Sequence, residues 1–407
     1  MTEYYPQRVT PQDERSTNLL TIVFSILGAL LVGMGIILII AHNWDNLSLT
    51  PKTLLAFAPL ITGQAIAGYS LLHKKEQANW REGSATFLFF AVAACIALIS
   101  QIYNLEGELA GFLLMWMLLC FPIAYLLRSS MASLLFFIGT TWLGTQVGYD
   151  YSPAVAKWWY WVLLLLGLPY YYWLYKRAPH SNFFNYHSAI IAVSIAIMLG
   201  SFESAHEDWY GVAYVALAGV YYLIGRSDFF AQKRVLANPF LILGSLGIVI
   251  PFLVGTFRDL WEEIWSRTDT ESLFSAPTFW ISVLLLGGVL ALFWYNTKRS
   301  TSKEIPYIGL APFVFLILFL LGSRMPILSA IIANICVLGL GIITTLRGVE
   351  RDHLGILNYG LLIITALIIC RFFDTDISFV IRGLLFVAVG IGFFMVNSWA
   401  LKQRKSA

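Results

Sequence analysis

The run PILSAIIANICVLGLGIITTL, residues 326–346, contains no charged side chain and is followed at once by Arg347. An apolar segment of roughly 20 residues can cross the hydrocarbon core of a bilayer, about 30 Å thick, as a helix. A backbone inside lipid must satisfy its own hydrogen bonds, which favours a helix for a single crossing segment. The run therefore predicts a transmembrane helix.

Thirteen further runs of helical length and similar hydropathy lie along the chain. They span residues 19–41, 53–72, 84–103, 109–127, 131–149, 157–175, 186–202, 209–225, 236–256, 278–297, 306–322, 354–371 and 378–399. Together with 326–346 they predict an all-α integral membrane protein of about 14 transmembrane helices, arranged as seven up-and-down hairpins. We expect a single membrane domain, residues 19–399, between a polar tail at 1–18 and a basic tail at 400–407.

The composition agrees with a membrane protein. Hydrophobic residues make up 58% of the chain and charged residues 12%, with a mean hydropathy of +0.74, whereas soluble domains contain roughly 25% charged residues. The net charge of +3 arises from 26 basic and 23 acidic residues, a balance that argues against a nucleic-acid partner. The four cysteines form no CxxC pair or Cys/His cluster, and we expect no metal and no cofactor.

The basic residues are distributed unevenly over the predicted loops. If the N-terminus is cytoplasmic, 19 of the 26 Lys and Arg residues lie on the cytoplasmic side and seven on the other. The excess recurs in successive short loops, which is the form in which the positive-inside rule fixes orientation best. Both termini are therefore predicted to be cytoplasmic.

The longest loop on the predicted outer side, residues 257–271, has an amphipathic pattern. Its apolar residues recur at helical spacing, and the opposite face carries acidic residues and Arg258. The pattern predicts a helix lying in the outer interface, with Arg258 and Glu262 placed for an ion pair. Both a lid over a cavity and a plain surface helix fit this sequence.

Polar residues in otherwise apolar sequence mark three turns on the predicted outer side. These candidate binding residues are Asn43, Trp44 and Asp45, then Gln101, Tyr103 and Asn104, and finally Arg371, Asp374 and Arg382. The first two turns also fit helix caps and interfacial anchors, and the sequence favours that interpretation over a binding site. In the third turn Asp374 and Asp376 balance Arg371 and Arg382. Two interpretations fit this turn: the side chains neutralise one another, or the arginines line a pocket for phosphate or carboxylate.

Three of these segments carry a family resemblance. The Asn-Trp-Asp turn at 43–45, the segment QIYNLEG at 101–107, and RFFD at 371–374 followed by Arg382-Gly383 resemble a bacterial family of predicted multispanning membrane proteins of unknown function. The resemblance covers the N-terminal hairpins, 19–127, and the C-terminal hairpin, 354–399. It implies a location in the bacterial inner membrane and assigns no activity to any residue.

The sequence favours a transporter or flippase-like protein for a neutral, amphipathic or lipid-linked substrate. The absence of Asp, Glu, Lys and Arg from the middle of the predicted spans argues against a proton pump with a midplane carboxylate. One alternative is a non-catalytic envelope scaffold or sensor. The other is a membrane-embedded transferase acting on a lipid-linked substrate at the outer face. In that enzyme Asp45, Glu106 or Asp374 would be acid or base, and Arg371 or Arg382 would hold phosphate.

The sequence does not assign a catalytic residue, and the non-enzyme hypotheses require fewer assumptions. Membrane lipids and an amphipathic or lipid-linked substrate are the expected partners. No protein partner is identified from the sequence.

Overall fold

The computed structural model describes residues 44–149, 155–202, 209–267, 276–299 and 306–374, with seven further positions between 378 and 391. These residues are almost entirely helical, and no strand occurs among them. The predicted spans at 19–41 and 378–399 lie outside the continuous described ranges, as do Asn43 and Arg382. The other predicted spans all contain a helix, which confirms the all-α class.

Fourteen α-helices follow one another along the described ranges. They are α1 (Leu49–His73), α2 (Ala78–Ile102), α3 (Leu109–Leu126), α4 (Ser130–Tyr149), α5 (Trp158–Arg177), α6 (Asn182–Leu199), α7 (Tyr210–Gly225), α8 (Asp228–Ala231), α9 (Pro239–Val254), α10 (Arg258–Arg267), α11 (Pro277–Arg299), α12 (Ala311–Gly322), α13 (Pro326–Glu350) and α14 (Leu354–Phe372). Short 3-10 turns precede α1, α9 and α12 and follow α6.

Seven of these helices are long and apolar enough to cross a membrane, namely α1, α2, α3, α6, α11, α13 and α14. An eighth span results if α9 and α10, which meet at an angle of 87°, are taken together. The helices at the predicted spans 131–149 and 157–175 are rich in hydroxyl and aromatic residues, and α7 and α12 are short. Length and composition alone therefore give seven or eight spans within the described part of the chain, against the 14 predicted for the whole.

The chain divides into two compact units, Met1–Gly107 and Glu108–Ala407. In the first unit α1 packs along α2. The contact is close at Gly63, where an added Cβ would lie 3.2 Å from a methyl carbon of Leu88. This pair forms most of the described part of the first unit.

In the second unit α7 is the central helix, with most of its residues buried. It packs against α9, α11 and α12. Gly244 makes the contact with α9 close, because a Cβ there would lie 2.3 Å from the backbone nitrogen of Tyr222. The hairpin prediction pairs α9 with α11, whereas in the structure each of them packs against α7.

The amphipathic segment forms α10, which turns sharply away from the end of α9. The predicted ion pair between Arg258 and Glu262 is present, with Nε and Oε1 2.6 Å apart on the exposed face. Trp261 is completely buried, and its indole nitrogen donates to the carbonyl of Gly255 at 2.8 Å. Trp265 donates in the same way to the carbonyl of Phe319 in α12, at 3.0 Å. The apolar face of α10 therefore packs on protein in the second unit.

Candidate functional site

The first predicted turn forms a short 3-10 helix, Trp44–Asn46, immediately before α1. The ammonium of Lys52 lies 5.6 Å from the centroid of the Trp44 ring, a cation–π distance. Asn43 and the side chain of Asp45 lie outside the described part of the structure. The turn is thus anchored to α1 through Trp44 and Lys52.

The second predicted turn ends α2. Asn104 has a φ of 48°, the left-handed conformation in which many helices terminate. The hydroxyl groups of Tyr103 and Thr53 are 3.0 Å apart and tie this turn to the first turn of α1. Gln101 is exposed. Both predicted turns of the first unit therefore lie at the same end of the α1–α2 pair.

The third predicted turn follows α14 and lies in the second unit. Arg371 and Asp374 form a hydrogen-bonded ion pair, with only 14% and 11% of their side chains exposed. Nη2 of Arg371 also donates to the hydroxyl of Thr256 at 3.0 Å, and Cζ lies 4.4 Å from the centroid of the Phe257 ring. Nε of Arg371 is buried without a partner among the described residues. Arg382 lies outside the described residues.

These contacts agree with the interpretation that the charged side chains of the third turn neutralise one another. The guanidinium already engages a carboxylate, a hydroxyl and a ring, so an incoming anion would have to compete with Asp374. The pair also places a carboxylate within hydrogen-bond reach of an arginine, as the enzyme hypothesis requires. A binding role for the nine candidate residues stays a prediction.

A cavity of about 430 Å³ lies at the opposite end of the second unit from Arg371. It is formed by the end of α7, the start of α9, the end of α13 and the start of α14. We call it the basic cavity and define it by Tyr222, Arg226, Lys233, Ser245, Arg347, Arg351 and Tyr359. Its remaining described lining is mostly aliphatic.

The polar end of the basic cavity is cationic. Arg226, Lys233, Arg347 and Arg351 all line it, and no Asp or Glu occurs among the described lining residues. The three arginine charges act on the hydroxyl of Tyr222, which also hydrogen-bonds with Arg347. Arg347 is half-buried and has no acidic partner within the described ranges. The charged side chains in the described lining of this end are therefore all positive.

Tyr359 places a second hydroxyl in the wall of the basic cavity. Its oxygen lies near Tyr222 and Ser245. Ser245 donates its own hydrogen to the carbonyl of Leu241 at 2.5 Å, so toward Tyr359 it can act only as an acceptor. The Tyr359 hydroxyl is buried and makes no hydrogen bond to the described residues. Buried polar groups in native proteins are nearly always hydrogen-bonded, so this hydroxyl is available to a further partner.

Lys233 connects the basic cavity to α6. Its ammonium donates to the carbonyl of Pro179 at 2.8 Å and to Oδ1 of Asn185 at 2.6 Å. The same group lies 4.2 Å from the centroid of the Phe184 ring and also faces Phe229. Burial lowers the pKa of Lys233 from 10.5 to about 8. These contacts hold the loop before α9 against the start of α6.

His187 in α6 is completely buried, a feature that the sequence did not single out. Nδ1 lies 2.7 Å from the carbonyl of Phe183, and Nε2 lies 3.0 Å from the hydroxyl of Ser133 in α4. The carbonyl can only accept, so Nδ1 carries a proton. Both ring nitrogens make hydrogen bonds, which makes His187 a link between α4 and α6.

The sequence missed the basic cavity because its cationic residues were interpreted only as determinants of orientation. The signal that could have revealed it is the pairing of a tyrosine with a nearby cation at several helix ends, such as Tyr222 with Arg226. That pattern also fits an interfacial aromatic belt, so only the three-dimensional structure separates the two interpretations.

Comparison with known proteins identifies one family. Residues 1–133 match a family described as a predicted membrane protein (DUF2157). The match contains both N-terminal turns, and it ends before the Arg371 segment. The resemblance noted for the N-terminal hairpins is thus confirmed, and the family has no known function. No curated protein and no solved structure is significantly similar to this chain.

Proposed function

We propose that this membrane-embedded protein is a transporter or flippase-like protein that carries an amphipathic substrate through the basic cavity. The observation that carries the proposal is the two-part lining of this cavity. Its volume of about 430 Å³ falls within the range of roughly 300–1,000 Å³ found for ligand sites. One end holds four cations, while the wall between α9 and α14 is aliphatic. A molecule with a charged head and an apolar body fits both parts.

The depth of the basic cavity supports a substrate that enters the bilayer region. Its lining extends along α13 from Arg351 to Leu340. At 1.5 Å of rise per residue this distance is about 16 Å, close to half the thickness of a hydrocarbon core. Passage to the other side would require the packed corner around Gly255, Thr256 and Trp261 to open, as the broken helices of carriers do.

The proposed topology has about 14 transmembrane helices, both termini in the cytoplasm and the protein in a bacterial inner membrane. The helices at the predicted spans support it. The helix ends in the second unit also support this topology, because Arg226 and Arg347 lie at one end of the unit and Arg371 lies at the other. In this topology the basic cavity opens toward the cytoplasm.

The function is tested with the full chain reconstituted into vesicles that contain head-labelled fluorescent phospholipids. A reductant that cannot cross the membrane destroys the label in the outer leaflet only. Transport predicts that the protected inner-leaflet label also becomes accessible, at a rate that rises with protein content. Arg347→Gln should slow this rate, while the matched exposed change Arg234→Gln should leave it unchanged. Protected label that persists for all lipids tested, with folded protein, would exclude the flippase function and favour a scaffold or sensor.

A further inference from the structure

We propose that the basic cavity binds the phosphate headgroup of an anionic phospholipid, with an acyl chain lying along α9 and α14. This inference rests on the proposed function, because it names the substrate class of the same cavity. It goes beyond that function in assigning the headgroup ligands, chiefly Arg347 and Tyr359.

The charge argument depends mainly on Arg347. A half-buried guanidinium without an acidic partner in the described part of the chain has donors to spare, since the Tyr222 hydroxyl engages only one of them. The planar guanidinium matches two phosphate oxygens at once. Arg226, Arg351 and Lys233 add positive charge around the same end, so an anionic head is favoured over a zwitterionic one.

The Tyr359 hydroxyl supplies an independent observation. It is buried, lines the cavity and has no hydrogen-bond partner among the described residues. A phosphate oxygen beside Arg347 would accept from this hydroxyl. The unpaired hydroxyl and the unneutralised guanidinium thus point to the same kind of ligand.

The apolar wall identifies the ligand as a lipid rather than free phosphate. Leu246 on α9 and Leu362 on α14 both line the cavity and are 38% and 61% exposed. Each lies near the middle of its helix, the part that hydrocarbon surrounds in the proposed topology. Inorganic phosphate would gain nothing from these side chains, whereas an acyl chain would cover them.

The location of the cationic end fits the same ligand. Arg226, Arg347 and Arg351 lie at helix ends, where long basic side chains reach the level of lipid headgroups. Basic pockets between transmembrane helices on the cytoplasmic side commonly bind anionic lipid headgroups. The cavity has this form, with an acyl path leading from it into the bilayer.

The test measures lipid binding to the full chain in mild detergent by native mass spectrometry. The probes are phosphatidylglycerol, phosphatidylcholine with the same acyl chains, and inorganic phosphate. We expect phosphatidylglycerol to bind about tenfold more tightly than phosphatidylcholine, the factor that corresponds to one good charged contact. Arg347→Gln should abolish this preference, Tyr359→Phe should weaken it, and Arg234→Gln should leave it intact.

Three results would overturn the inference. Equal affinity for the two lipids would exclude recognition of the anionic head. Equal losses in the Arg347 and Arg234 variants would indicate general surface electrostatics. Displacement of phosphatidylglycerol by inorganic phosphate at a similar concentration would identify a free anion as the ligand. Should Arg347→Gln fail to fold, Arg347→Lys and Tyr359→Phe replace it. Each should weaken the preference without abolishing it, because Arg347→Lys keeps the charge but loses the planar guanidinium and Tyr359→Phe loses only the hydroxyl.

Binding and transport fail independently. Selective lipid binding without flux would remove the transport function and leave a lipid-regulated scaffold or sensor. Flux without selective binding would keep the transport function and remove the lipid assignment of the cavity.

Discussion

The guanidinium of Arg371 donates to the hydroxyl of Thr256 at 3.0 Å and so joins the end of α14 to the corner after α9. Thr256 in turn offers its carbonyl to the side-chain amide of Asn334 in α13, at 3.1 Å. Asn334 and Arg371 therefore reach Thr256 from 78 and 115 residues away along the chain. The ion pair with Asp374 completes this junction, which makes it a structural unit as well as a candidate site.

The first prediction concerns this ion pair. Arg371→Gln leaves the mostly buried carboxylate of Asp374 without its counter-charge, and we expect the free energy of unfolding to fall by about 3 kcal/mol. The matched control is Arg258→Gln, which breaks an exposed pair with Glu262, 48% and 43% exposed, and should cost about 0.5 kcal/mol or less. Denaturant titration followed by circular dichroism measures both. Similar losses for the two variants would show that burial does not strengthen the Arg371 pair.

A double variant refines this prediction. Removing both charges with Arg371→Gln and Asp374→Asn should restore part of the stability, because no uncompensated charge then remains. A double variant no more stable than Arg371→Gln would assign the loss to the Thr256 contact instead.

The second prediction concerns the corner between α9 and α10. Trp261 is completely buried against Gly255 and Gly322, so Trp261→Ala should cost about 3–5 kcal/mol through the cavity that it creates. Trp261→Phe retains an aromatic ring and loses the hydrogen bond to Gly255, at a cost of about 1 kcal/mol. The control is Trp280→Ala, since Trp280 is 64% exposed in α11. A small loss for Trp261→Ala would mean that α10 is a loosely held surface helix.

The third prediction is a pH dependence. Burial lowers the pKa of Lys233 to about 8, against the ordinary lysine value of 10.5. Between these values the unfolded chain binds more protons than the folded protein, so the contribution of Lys233 to the free energy of unfolding rises with pH. The stability of the protein relative to Lys233→Met should therefore increase from about pH 7.5 to about pH 10. A decrease would show that the Asn185 and Phe184 contacts favour the ammonium more than burial penalises it.

Local sequence predicted the helices well and their arrangement poorly. Apolar runs such as 326–346 define helices directly, and the stripe through Trp261 and Trp265 defines the buried face of α10, because both patterns depend on neighbouring residues only. The ion pair of Arg371 with Asp374 is equally local. Its contact with Thr256, 115 residues away, and the meeting of Tyr222 with Tyr359 depend on how helices pack. No pattern in one sequence specifies such contacts.

The final prediction tests the orientation on which the cytoplasmic placement of the basic cavity depends. Four exposed residues in turns between helices report on it. The positive-inside rule places Glu76 and Gln232 in the cytoplasm, and it places Glu106 and Met325 outside. Each is replaced by cysteine in a chain whose four native cysteines are changed to alanine, and intact cells are treated with a maleimide that cannot cross membranes. Glu106→Cys and Met325→Cys should react in intact cells, and Glu76→Cys and Gln232→Cys only after permeabilisation.

Reaction of Gln232→Cys in intact cells would place the basic cavity on the outer side, where an anionic lipid of the cytoplasmic leaflet could not reach it. Reaction of Glu76→Cys and Glu106→Cys from the same side would show that α2 does not cross the membrane, and the proposed count of 14 spans would then be wrong.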